Sequence, residues 1–130
     1  MISTTHGKAY NAFIALSQIR SIVKGMDALH VFYLKNALKD AVDFMAEEEM
    51  RYVQDAGGTV TENGMVIIPD KEKRSEYLKS RKELDEMPYE ANAEPVIIQI
   101  ERCPDVTGEQ IESLSGFVMF TEEASENGDK

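Results

Sequence analysis

Apolar residues between Asp27 and Asp55 recur at helical spacing: Val31, Leu34, Leu38, Ala41, Val42, Met45, Tyr52 and Val53. This pattern predicts one long helix. Val31, Leu38, Met45 and Tyr52 also lie seven apart, a narrow seam suited to a second helix. Asp27 is placed to cap the start, because its carboxylate can accept from the unpaired amides of a first turn. Gly57-Gly58 closes the run, since glycine leaves a helix at little steric cost. At 1.5 Å per residue such a helix is about 42 Å long, which asks for a partner along its length.

Upstream, Ala12, Leu16, Ile19 and Val23 make one face of a first helix from about Thr5 to Lys24, widened by Ala9, Phe13 and Ile22. Ser3, Thr4 or Thr5 is available to cap it, and Gly25 suits the left-handed position after its end. The link Gly25-Met26 is so short that the two helices are expected to run antiparallel as a hairpin. Downstream, Asn63-Gly64 between Thr59-Val60 and Val66-Ile67-Ile68 signals a β-hairpin with a type I′ turn. Asp70 caps a third helix from Lys71 to about Met87, with Tyr77, Leu84, Leu78 and Met87 its thin apolar stripe and Pro88 its end. Residues 91–94 read as a linker. Val96 to Glu101 reads as a strand with Val96, Ile98 and Ile100 on one face. Thr107 with Gln110 forms a capping box before Ile111, Leu114, Phe117 and Val118, although Gly116 weakens a helix there and 117–120 reads equally as a short strand. The fold class is therefore α+β, one domain over 1–120: a helix hairpin over 5–56, then a β-hairpin, helix, strand and short helix over 57–120. Residues 121–130 are polar, with four acids against one lysine, and are expected to be a disordered tail.

Charge changes this picture. The net charge is -10, which argues against coating duplex DNA or an anionic membrane, and no apolar run reaches the roughly 20 residues of a membrane span. The N-terminus lacks a signal-peptide pattern and there is one cysteine, so a reducing cytoplasm is the expected compartment. Residues 1–39 hold Lys8, Arg20, Lys24, Lys35 and Lys39 against Asp27 alone, a net of +4, so the other 91 residues sum to -14. Inside the long helix Lys35 and Lys39 precede Asp43, Glu47, Glu48, Glu49 and Asp55, the reverse of what the helix dipole prefers. Two copies paired antiparallel would set each basic half against the other's acidic half. The expectation is a homo-oligomer, a dimer or higher, with Val31, Leu34, Leu38, Met45 and Tyr52 at the interface.

No residue pattern marks catalysis, and no metal or cofactor is expected. His6, His30 and Cys103 are too scattered in sequence for a zinc site, and Cys103 has no base beside it. Glu47, Glu48 and Glu49 point in different directions on a helix, so they do not converge on a cation. Gly57-Gly58 lacks the Lys-Ser/Thr of a phosphate loop. The basic run of 71–82 is interleaved with acids and reads as a solvated face. Arg20, Lys24, Lys35 and Lys39, with Tyr33 and Asn36, are the candidate ligand set: a planar fork and mobile charges for phosphate, a stacking ring, and an amide for a base edge. The alternative is that these cations only pair with a neighbour's acids.

Several stretches carry a resemblance: Lys8-Ala9-Tyr10-Asn11-Ala12 with Ala15-Leu16, Leu34-Lys35-Asn36 leading a long helix, the Asn63-Gly64 hairpin, Asp70-Lys71-Glu72, the Val96–Ile100 strand and the Ile111–Leu114 segment. In this order the chain resembles a family of small uncharacterised proteins from tailed phages and prophages of Gram-positive bacteria. The acidic tail and Gly116 depart from that pattern. The resemblance implies a phage protein acting in the cytoplasm of a bacterial host. The family brings no established activity, so the resemblance implies an origin rather than a function. The basic cluster at the expected dimer seam suits a non-enzymatic counter-defence role, sequestering an immune nucleotide signal such as a cyclic nucleotide. The alternatives are a virion assembly or scaffold protein, or an acidic inhibitor of a host defence protein.

Overall fold

The computed structural model describes residues 1–122. Strand β1 (Ile2–Thr5) leads into helix α1 (His6–Ile19), and a tight corner leads into helix α2 (Gly25–Asp55). A small hairpin, β2 (Thr59–Val60) and β3 (Val66–Ile67), precedes helix α3 (Lys71–Glu86). Strands β4 (Pro88–Ala91) and β5 (Val96–Gln99) follow, then a 3-10 turn at Ile100–Arg102, helix α4 (Gly108–Ser113) and strand β6 (Val118–Thr121). The architecture is α+β. The strands pair in twos: β1 with β4 and β2 with β3 antiparallel, β5 with β6 parallel. A parallel pair needs a long crossover, and residues 100–117, including α4, supply it.

Several local features follow from single residues. Thr5 caps α1 by accepting from the Lys8 amide, and Asp70 caps α3 by accepting from Lys73. Thr107 and Gln110 form the reciprocal capping box of α4. α1 stops at Ile19, short of Lys24, because the chain tightens: the Ile22 amide donates to the Ile19 carbonyl at 2.9 Å, and Gly25 turns the chain at φ 58°. α2 accordingly begins at Gly25, so Lys24 is the N-cap residue and Asp27 lies inside the first turn. Asn63-Gly64 does not form the expected two-residue turn. The Gly64 amide donates to the Thr61 carbonyl at 2.9 Å, Thr61 and Met65 close the loop, and Gly64 takes the left-handed position, a three-residue loop.

Strands β1 and β4 were not anticipated; the latter covers Pro88 and part of the expected linker. Their register sets Ile2 opposite Ala91, both buried, and Tyr89 of β4 donates its hydroxyl to the Ala37 carbonyl of α2 at 3.0 Å. The strand expected over 96–101 ends at Gln99, where the backbone coils into the 3-10 turn. Thr121, expected in the tail, closes β6. The rest of the expected disordered tail, residues 123–130, lies outside the described residues.

The expected interface needs correction. Val31, Leu34, Leu38 and Met45 are buried within this same chain, and Tyr52 is half-buried beside Val66. The buried face of α1 is rich in alanine (Ala9, Ala12, Ala15), so its backbone lies close along the first half of α2. Ile98, Leu114 and Phe117 complete that core. At the far end Val53, Ala56, Ile68 and Tyr77 form a second, smaller cluster. Val31, Leu34, Leu38 and Met45 are thus covered from within the chain rather than left for a sister copy. Much of the charge imbalance along α2 is met in the same way. Arg81 of α3 binds Glu49 at 2.9 Å, Lys39 binds Asp43 at 2.7 Å, and Arg51 binds Glu48 at 2.9 Å.

Candidate binding groove

The predicted ligand residues do not converge on one place. Arg20 and Lys35 lie on the outer flank of the α1–α2 hairpin, each over a ring: the Arg20 guanidinium 5.5 Å from the centre of Phe32, the Lys35 ammonium 5.2 Å from that of Phe13. Neither makes an ion pair among the described residues. Lys39, further along α2, is committed to Asp43, whose hydrogen bond and charge raise the lysine pKa. Asn36 is exposed. Lys24 lies at the α1–α2 corner, in a cleft of about 630 Å³ with Asp27, Arg102 and Asp105. Two bases and two acids cancel there, and Arg102 stands 4.0 Å from the buried Asp27 carboxylate. The corner is therefore a poor anion site.

Tyr33, its ring centre 5.9 Å from that of Phe32, links the hairpin flank to a groove. It joins His30 and Leu34 of α2 as one wall of that groove, of about 490 Å³, whose other wall is the chain from Asn92 to Ile97. The size suits a small ligand or a few peptide side chains. Tyr33 is 60% and Ile97 63% exposed, so two large apolar side chains stand in water at its mouth. Successive strand residues face opposite ways, and on β5 Val96 turns into the core while Ile97 turns out. A groove that touches both, and the loop from Asn92 to Pro95 before them, meets β5 at its first two residues. No residue of β6 lines it, and β6 is the one strand paired with β5 among the described residues, so the start of the unpaired edge of β5 adjoins the groove. His30, Asn92, Glu94 and Ile97 escaped the sequence reading as site residues. The available signal was Ile97 itself, the outward apolar member of an otherwise inward-facing run.

The other reactive groups have structural employment. Cys103 is fully buried, and burial together with Asp105 and Asp27 pushes its thiol pKa up, away from the nucleophilic thiolate. The backbone amide and Nδ1 of His6 both approach the Met87 carbonyl, at 2.8 and 2.9 Å, and its ring lies against Phe44 and Tyr89. Tyr77 donates to Glu49 at 2.8 Å beside Arg81, which also binds Asp85, so one clasp ties α3 to α2. Burial and then the Glu49 carboxylate push the Tyr77 phenol up to about 12. Among the described residues no three His, Cys, Asp or Glu stand together as metal ligands, and no helix is long and apolar enough to cross a membrane. Comparison with protein-family models, curated proteins and solved structures finds no match to this chain.

Proposed function

We propose that this chain is a non-enzymatic binding protein that holds a protein partner in the groove between α2 and the free edge of β5. The observation that carries the reading is the pair Tyr33 and Ile97, large apolar side chains left in water on both sides of an apolar cleft. Exposed apolar surface at a concave, preformed site is the usual mark of recognition. Taken with the resemblance to tailed-phage proteins, the partner belongs to a virion under assembly or to the defences of a Gram-positive host, and the meeting place is the host cytoplasm. A photo-cross-linking residue installed at Ile97 in such a host tests this. The groove reading expects one dominant adduct from Ile97 and Tyr33, and none from Lys79 on the solvated face of α3. Adducts that form equally from all three positions would refute it.

A second reading, capture of a nucleotide immune signal, is favoured by Arg20 over Phe32 and Lys35 over Phe13, cations without an acid partner among the described residues of an acidic chain. It works within one chain, on the hairpin flank, since Val31, Leu34, Leu38 and Met45 are buried within that chain. A ligand that binds only the folded state at a hundred times its Kd adds about 2.7 kcal/mol of stability. Cyclic di- and trinucleotides and ADP-ribose derivatives should therefore raise the melting temperature, and Arg20→Ala with Lys35→Ala should abolish the rise. No shift across that panel removes this reading.

A further inference from the structure

The groove can be assigned an occupant, on the reading that it is the binding site. β5 pairs with β6 on one side only, and the Val96 amide donates to the Phe117 carbonyl at 2.9 Å. In a parallel ladder, alternate residues turn their backbone groups to opposite sides. With Val96 and Ile98 committed to β6, the amides of Ile97 and Gln99 and the carbonyls of Pro95 and Ile97 turn toward the free edge. None of these groups has a partner among the described residues. Pro95 and Ile97 line the trench and Gln99 lies just beyond its end. Unpaired strand donors and acceptors that start in an apolar trench are complementary to one kind of guest, another extended backbone.

We infer that the groove binds an extended peptide segment of a partner as an added strand alongside β5, with apolar side chains on alternate residues and a Lys or Arg beyond them. The alternation follows from the geometry. A strand laid on the Ile97 edge turns every second side chain down between Tyr33, Leu34 and Ala93, and the others out to water. The base follows from charge. Among the described residues Glu94 is the one carboxylate lining the groove and no Lys or Arg lines it, and the chain as a whole carries -10. The contact of Glu94 with the Met1 amine is a pair of exposed groups that an incoming cation can replace at little cost. Pro95 lacks an amide and Gln99 ends the strand, so the edge offers room for a few backbone bonds. Side chains in the trench must then supply most of the discrimination.

The test is selection from a synthetic library of short linear peptides against the full chain, followed by calorimetric titration of the best binder. Selected peptides should alternate apolar and polar residues and carry a base. N-methylation of the peptide amides at one parity should weaken binding roughly tenfold or more, and at the other parity leave it unchanged. Ile97→Pro should weaken binding about as much, because it deletes the edge donor while the Ile97 amide makes no bond to β6. A measurement that needs no variant runs alongside: the Ile97 and Gln99 amides should exchange hydrogen fast in the free chain and slowly with peptide bound, while Val96 and Ile98 stay protected throughout. No selected peptide, indifference to N-methylation at both parities, or full binding by Ile97→Pro overturns the inference. A protein that cross-links at Ile97 yet ignores Ile97→Pro overturns the added strand and leaves the groove reading standing. A concentration-dependent dimer broken by Ile97→Pro would place a second copy there and overturn the peptide guest.

Discussion

Gly7→Ala sets two physical effects against each other at one position. Gly7 lies in the first turn of α1, where exchanging glycine for alanine ordinarily stabilises a helix by roughly 0.5–1 kcal/mol. Here a Cβ would stand 2.9 Å from the carbonyl oxygen of Asp85, 3.0 Å from its Cβ and 3.2 Å from its Cα. Those atoms belong to the last turn of α3, and backbone cannot swing aside as the tip of a lysine can. Overpacking of this kind costs about 1–3 kcal/mol, so packing exceeds propensity and the variant should lose about 1 kcal/mol. Gly108→Ala is the control. A Cβ there meets nothing within 4 Å, so the first residue of α4 should accept alanine with no loss and a gain of a few tenths of a kcal/mol. Urea denaturation of both variants gives the two values, and a 1 kcal/mol loss lowers the melting temperature by about 3–5 °C in a domain of this size. A neutral or stabilised Gly7→Ala would show that α1 and α3 do not approach so closely, and the placement of Asp85 and its Arg81 partner would fall with it.

Two further outcomes follow from the core and the clasp. The Tyr77 phenol ionises near 10 in an unfolded chain and about 12 in the fold, so its contribution is complete below pH 10 and is lost as pH rises toward 12. Melts across that window should show a loss of about 2 kcal/mol in the parent that Tyr77→Phe lacks, and equal slopes would exclude the buried contact with Glu49. Leu38→Ala should cost about 2–5 kcal/mol, and its shift in melting temperature should not vary with protein concentration, because the seam is closed by α1 of the same chain. A shift that grows on dilution would put the seam back between copies.

What could be read from the chain beforehand was whatever neighbouring residues decide among themselves. Gly25 and Gly57 with positive φ, the caps at Asp70 and Thr107, and the apolar face of α2 are all set within a turn or two. Periodicity identified Val31, Leu34, Leu38 and Met45 as a buried face but carries no information on what buries them. For Val31, Leu34 and Leu38 the answer lay in α1, whose Ala9, Ala12 and Ala15 let it share their core. β1 and β4 were invisible for a different reason. Ser3, Pro88 and Glu90 have little strand preference of their own, and each strand exists because the other, far away in the chain, completes its hydrogen bonds. The groove belongs to the same class, with walls from residues 30–34 and 92–97 that only the folded chain brings together. The cations were legible as a surplus of charge, yet which side of a helix each occupies depended on that packing.

The two hydrophobic clusters along α2 are unequal, and stability in proteins is spent unevenly where packing is uneven. A rod moored firmly at one end and lightly at the other does not come loose all at once. The hairpin tip and the start of α3 should open many times for each complete unravelling, and a protease would find its first cut there. The groove sits at the well-moored end, so a guest held in it would ride out those openings undisturbed.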